Sequence, residues 1–409
     1  MRKGSKSEPG DKQNMTNVIV IGAGVIGTST AYHLAKRGAQ VRLIEQFQIG
    51  HTLGSSHGPS RIIRLAYETT DYVMLAQTAF ARWRELEMEA GQSLLVRVGG
   101  LDFGAPDAYG LAEIGANYAA LGIAYDALDA AEIRYRYPQF NPPENSIGFY
   151  QGDYSMLAAE KCVRTFADRA VVHGAILHQN EQVIEIAPQP VGVRVTTQAG
   201  YYEADGVVLC AGSWCLPILN ALGIDLRLQV VREQLVFLAA KNPADYSIGR
   251  FPLALQRFAG STSLGSAFPI YNHTAPKFMV DRIGTPVAPH DPDRQIDLPQ
   301  LQVAIDWAMK LMNGLSGEIV ETTSCRYSMT PDEDFILDRH PEYHQIVIAS
   351  PCSGHGFKFA SVIGEILTDL ALVGKTQHDI SRFRISRSAL HTARHAAKNI
   401  GADQDDLPI

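Results

Sequence analysis

The chain has 409 residues, 46% of them hydrophobic, which is enough for a large core and two domains, and no apolar run approaches the length of a membrane span. Lysine plus arginine total 36 against 43 acids, a net charge of −7 that argues against a nucleic-acid surface. Five cysteines (Cys162, Cys210, Cys215, Cys325 and Cys352) form no CxxC pair and thirteen histidines no HExxH cluster, so neither a disulfide framework nor a metal site is expected, and a reducing, cytoplasmic compartment is.

The first fourteen residues are polar, lack the apolar core of a secretory signal, and read as a disordered extension. Val18 to Ile21 then form a β-branched run, short enough for a fully buried parallel strand. Gly22, Gly24 and Gly27 follow at G-x-G-x-x-G spacing, a helical pattern runs from Val25 to Arg37, and Val41 to Ile44 make a second strand closed by Glu45. Gly22 permits the tight turn, Gly24 lets backbone approach a pyrophosphate, and Gly27 lets helix pack on strand. The helix N-terminus offers N–H groups to phosphates, and Glu45 stands where an acceptor for ribose hydroxyls is required. Together these predict a dinucleotide-binding βαβ unit. The fingerprint alone does not separate FAD from NAD.

Gly50 to Ser60 is a polar Gly/Ser loop leading into Arg61-Ile62-Ile63-Arg64, read as a helical turn with both arginines on one side. Helices are predicted over Tyr72–Ala90, Tyr109–Tyr118, Ala130–Tyr137, Leu157–His173 and Gln300–Met312. Strands are predicted over Val96–Gly104, Ala175–His178, Gln182–Ala187, Val191–Thr197, Gly206–Gly212 and Leu228–Leu238. Asn141–Ser146, rich in Pro and Asn, is a plausible crossing between domains, and Pro252–Pro292 reads as loops with short strands. Ile346–Ile348, a glycine-rich turn at 351–356 and a helix from Phe357 to Leu372 repeat the opening strand–turn–helix theme.

GAGVIG, GSSHGPSRIIR at 54–64, SCRYSMTPDEDFILDRHP at 324–341 and CSGHGFKFA at 352–360 resemble the monomeric sarcosine oxidase and N-methyltryptophan oxidase family of D-amino-acid-oxidase-like flavoproteins. The resemblance runs from about Asn17 to Arg387. It implies an α/β fold: a discontinuous Rossmann-like FAD-binding domain (15–92, 151–225 and 325–388) and an α+β substrate domain with an antiparallel sheet (93–150 and 226–324), followed by a tail at 389–409. It implies a monomer that oxidises a secondary amine carrying a carboxylate, with FAD as cofactor and O₂ as the electron acceptor.

By the same resemblance, Cys325 falls where these oxidases attach the flavin through a thioether; composition alone would make it a small core residue. Arg64 and Lys358 match the two cations that hold the substrate carboxylate, Arg as a bidentate donor and Lys as a point charge. Arg61 and His57 match positions beside the flavin ring, Tyr327 an aromatic lining the pocket, and Gly354, His355 and Gly356 the turn facing substrate and ring. Lys277 matches, through the Phe268-Pro269 anchor, the lysine that activates oxygen. Counting from that anchor, Ser266 stands where sarcosine oxidase has a pocket tyrosine and Asp281 where it has a pocket histidine, while Leu255 replaces a methionine. These departures imply an amine bulkier or more polar than sarcosine. Two alternatives stay open: a dehydrogenase passing electrons to an acceptor other than oxygen, and a non-catalytic FAD-binding protein.

Overall fold

The structure, a computed structural model, describes residues 16–289, 291 and 295–391. The extension expected at 1–14 and residues 392–409 of the expected tail lie outside the described residues.

Two large sheets organise the chain. The first has six strands in the order Ile336–Arg339, Ile346–Ser350, Gly206–Leu209, Asn17–Ile21, Gln40–Ile44, Ile176–His178. All neighbouring pairs are parallel except the first. Widely separated stretches of chain build this one sheet, so the nucleotide domain is discontinuous. Asn17–Ile21 is central and buried on both faces, which is why it is a continuous β-branched run. Val18 and Val20 pack under the helices Val25–Lys36, Ala159–Val172 and Ala360–Leu372. Ile19 and Ile21 face the other side, against Leu219 and a three-stranded antiparallel layer that includes Val193–Thr197.

The second sheet is mixed, with nine strands among the described residues, and only Leu253–Arg257 and Gly100–Gly104 run parallel. Gln229–Ala240 is its spine, pairing with Lys277–Val280 on one side and with the long strand Leu315–Met329. One face packs on the helix Leu298–Leu311. Gly265 is needed there because a Cβ would stand 2.3 Å from the Trp307 ring. The other face looks toward the nucleotide domain and carries the site.

Several expectations are corrected. Arg61 to Arg64 do not form a helical turn: Ser60–Ile63 is a strand pairing with Ser155–Ala158 that carries Arg61, and Arg64 lies just past its end. Asn141–Ser146 joins the helix Ala130–Arg136 to the strand Ile147–Gln151, which both pack with the strand Asp126–Asp129, so it crosses between no domains. The stretch 324–329 belongs to a strand that starts at Leu315, and the boundary expected between 324 and 325 falls inside it. The helix expected from Phe357 begins at Ala360, after a 3₁₀ turn at Phe357–Phe359.

One buried acid holds a loop of the second sheet in shape. Glu233 is fully buried and accepts from the Gly284 N–H (3.1 Å) and the Gln300 side-chain amide (2.9 Å). Gly284 has to be glycine, since a Cβ would lie 2.7 Å from the Glu233 carboxylate. Burial, reinforced by the nearby Asp281, pushes Glu233 up to about 8 despite those donors. The folded state therefore binds a proton that the unfolded chain has released, and stability falls as pH rises from the ordinary carboxylate range to about 8. Glu233→Gln should remove that slope. Thermal unfolding should show the variant gaining on the native protein between pH 5 and pH 8 by on the order of a few kcal/mol, whereas a pH-independent difference would rule the account out.

Candidate functional site

The strand register explains how the second sheet presents its side chains. Asp102 lies opposite Leu255, Leu255 opposite Ser266, and Ser266 opposite Met279, so these four share one face. The next row holds Phe268 opposite Lys277; on the other side Arg257 lies opposite Leu264, to which Asp281 is hydrogen-bonded. Lys277, Met279 and Asp281 alternate along one stretch and therefore face the same way. This face roofs a continuous cavity of about 820 Å³. The cavity runs from the glycine turn at Gly22–Gly24 and Glu45, past Cys325, to Arg64, Tyr327, His355 and Lys358.

At the nucleotide end the backbone is packed too tightly for side chains. Gly22 has φ +97, and a Cβ there would stand 2.5 Å from the Cys210 carbonyl oxygen. A Cβ on Gly27 would meet the Gly22 carbonyl at 1.8 Å, so Gly27 serves helix–strand contact. Glu45 accepts from the N–H groups of Ala23 (2.7 Å) and Phe47 (3.0 Å), tying the second strand to the glycine turn. At the helix start Ser56 Oγ accepts from the Val25 N–H (3.1 Å), while Ser213 Oγ and Ser350 Oγ border the cavity buried and without partners among the described residues. A helix N-terminus behind a bare glycine turn, with orphaned hydroxyls beside it, fits a dinucleotide.

At the other end are the cations. Arg64 is buried, its guanidinium lies over the Tyr67 ring at 4.6 Å, and its Nη1 has no partner among the described residues. Lys358 donates to Tyr67 Oη (3.0 Å) and the His355 carbonyl (2.8 Å). Neither pairs with a carboxylate among the described residues. Burial, then the Arg64 charge, holds Lys358 well below the ordinary lysine range. His355 is likewise held well below its ordinary value by burial and Lys358, so its ring is neutral, bridging Tyr67 Oη and the Glu333 carbonyl. Gly354 (φ +77) sits against the Tyr327 ring, which a Cβ would approach to 2.7 Å, and a Cβ on Gly356 would meet the Pro351 carbonyl at 1.6 Å.

Between the two ends stand Cys325 and Lys277. Burial pushes the Cys325 thiol up to about 12, opposed chiefly by Arg61. Arg61 borders the cavity and donates to the carbonyls of Ser55, His57 and Ser60. The buried His57 side chain does not border the cavity, so its expected place beside the ring is not matched by its position. Lys277 Nζ donates to Ser60 Oγ (2.9 Å) and lies 3.7 Å from the centre of the Phe268 ring. Burial and Arg61 hold it well below the ordinary lysine range.

Tyr67, Ser60 and Phe268 were given no role by sequence reasoning, although Tyr67 follows Arg64 by three residues and Phe268 anchors the alignment of Lys277. Asp102 was also missed: fully buried, it is the main opposing charge on Arg64 and lies 3.6 Å from Arg257 Nε. Arg257 in turn pairs with Glu68 at 2.5 Å. No group of metal-binding side chains occurs among the described residues, and no helix there is long and apolar enough to cross a membrane.

Known proteins of this shape agree with the geometry. The chain is 34% identical over 381 residues to monomeric sarcosine oxidase of Bacillus sp. (strain B-0618), covering 91% of this chain and 96% of that one. It is 31% identical to N-methyl-L-tryptophan oxidase of Salmonella enteritidis PT4, covering 91% and 98%. The open form of NikD, an unusual amino acid oxidase essential for nikkomycin biosynthesis, superposes with a TM-score of 0.81 at 26% identity, covering 90% of this chain and 97% of that one. Residues 17–370 match the family model described as FAD dependent oxidoreductase, and with the glycine turn, the discontinuous sheet and the cavity already in place, the chain belongs to that family and its cofactor is FAD.

Proposed function

We propose that the protein is an FAD-dependent oxidase of secondary amines that carry a carboxylate, releasing hydrogen peroxide. The observation that carries this reading is the pair Arg64 and Lys358, two buried cations that pair with no carboxylate among the described residues and border the same cavity as Cys325 and Lys277. Asp102 acts on Arg64 and Asp281 on Lys358 without pairing directly with either, so a substrate carboxylate would lower the remaining cost of burying both charges. Bound FAD supplies the two-electron acceptor for a hydride equivalent from the substrate carbon. Arg64 and Lys358 fix the carboxylate and so orient the adjacent C–H, which is much of the catalysis. Their charge also disfavours a protonated amine nitrogen, the form that cannot support the developing iminium. The roof carries the apolar Leu255, Leu264 and Met279, with the small Ser266 leaving room for a bulky amine substituent. The two protons and two electrons lost by the amine appear in H₂O₂, and the imine is left to hydrolysis. The test is anaerobic bleaching of the flavin by N-methyl amino acids, then peroxide release on admitting air. Bleaching by none of them would sink the reading.

A thioether through Cys325 belongs to the same proposal. Its support is that the thiol borders the cavity, with Arg61 and Lys277 acting on it to favour the thiolate against burial. Acid precipitation should leave the yellow colour in the pellet, and Cys325→Ser should release it to the supernatant. Colour freed from the unmutated protein would exclude the linkage. A monomer in a reducing cytoplasm fits the five free cysteines, four of them buried.

A further inference from the structure

The argument that identifies the carboxylate clamp applies with opposite sign to Asp281. This carboxylate borders the cavity beside Leu264 and Met279. Its Oδ1 accepts from the Leu264 N–H at 2.8 Å, and its Oδ2 has no protein partner among the described residues. Among the described residues no ion pair to it forms: of the cations acting on it, Arg282 pairs with Glu333 (3.1 Å) and Arg257 with Glu68 (2.5 Å), and Arg64 belongs to the carboxylate clamp proposed above.

We infer that Asp281 receives a positively charged group of the substrate, so that the preferred substrates are carboxylated secondary amines bearing a second basic nitrogen. This inference rests on the amine-oxidase reading above and specifies its substrate class. The nitrogen that Asp281 meets is not the reacting one. An anion beside the reacting amine would hold its proton, whereas oxidation needs that nitrogen neutral. The position agrees: Lys277 and Cys325 mark the reactive end, and Asp281 is four residues along from Lys277, about 13 Å if the chain stays extended. A cation in that place would also relieve the burial that raises the carboxyl above its ordinary range.

The test uses the FAD-loaded enzyme in anaerobic stopped-flow with three racemic probes: Nα-methyllysine, Nα-methylornithine and Nα-methylnorleucine. All carry the carboxylate and the secondary amine, and only the first two carry a second basic nitrogen. At least one cationic probe should reduce the flavin with kcat/KM at least about tenfold above norleucine, the value of a hydrogen bond to a charged group. Asp281→Asn should bring that ratio toward one, and Asp281→Glu should restore part of it. Nα-methylnorleucine reducing the flavin as efficiently as both cationic probes, or a preference that survives Asp281→Asn, would overturn the inference and leave the amine-oxidase reading standing. Bleaching by none of the three would remove both.

Discussion

Arg64→Met is expected to lower kcat/KM for a carboxylated amine by on the order of 10³, the loss of a buried, charge-assisted contact. Methionine keeps much of the side-chain volume, so the loss reports charge and hydrogen bonding more than a cavity. Arg64 has its free Nη1 in the cavity region, its guanidinium on Tyr67 and Asp102 as the main opposing charge. A secondary effect distinguishes this account from simple misfolding. Arg64 is the largest charge holding Lys358 down, so in Arg64→Met the Lys358 pKa should rise toward the ordinary range. A group whose pKa is depressed is charged only at lower pH, so carboxylate binding to the native enzyme should weaken as pH rises through that depressed value. In the variant the weakening should move to higher pH. Steady-state kinetics across pH would check both effects, and an unchanged KM and kcat/KM would remove Arg64 from the clamp.

The nucleotide end of this site was legible from sequence because it is local. Gly22, Gly24 and Gly27 answer to contacts within one strand–turn–helix, and the second strand with Glu45 follows directly. The substrate end is not local. Lys277, Ser266 and Leu255 come together only through the register of three strands, and short strands in a glycine- and proline-rich stretch give little periodic signal. The resemblance to a known family supplied their roles. It could not supply Asp102, Glu68 and Arg257, whose charges meet across chain separations of more than 150 residues between Arg257 and its partners. Arg61 and Arg64 were misread because i and i+3 share a side only in a helix; pairing with Ser155–Ala158 makes this stretch a strand. The fifteen-residue strand that carries Cys325 and Tyr327 escaped notice because its exposed first half and buried second half obey different patterns.

Lys277→Met should leave anaerobic flavin reduction by a good substrate within a few-fold of normal and slow reoxidation by O₂ by about 10²–10³, the usual loss when a fixed group stabilising developing negative charge is removed. The expectation follows from how the lysine is held. It is buried, held by Ser60 Oγ and the Phe268 ring, with no carboxylate partner among the described residues. Such a charge is poorly compensated until electrons begin to reach oxygen. Burial and Arg61 depress its pKa, so the protonated form declines as pH rises through a value below the ordinary lysine range. Reoxidation of the native enzyme should slow over that window, and Lys277→Met should show no such slope. Ser60→Ala, which removes the 2.9 Å contact but keeps the charge, should have a smaller effect than Lys277→Met. Separate half-reactions, measured anaerobically with substrate and then by mixing with oxygenated buffer, read these outcomes independently. Equal slowing of both halves would assign Lys277 to substrate binding, and reoxidation that was slow from the start and indifferent to Lys277→Met would favour an acceptor other than oxygen.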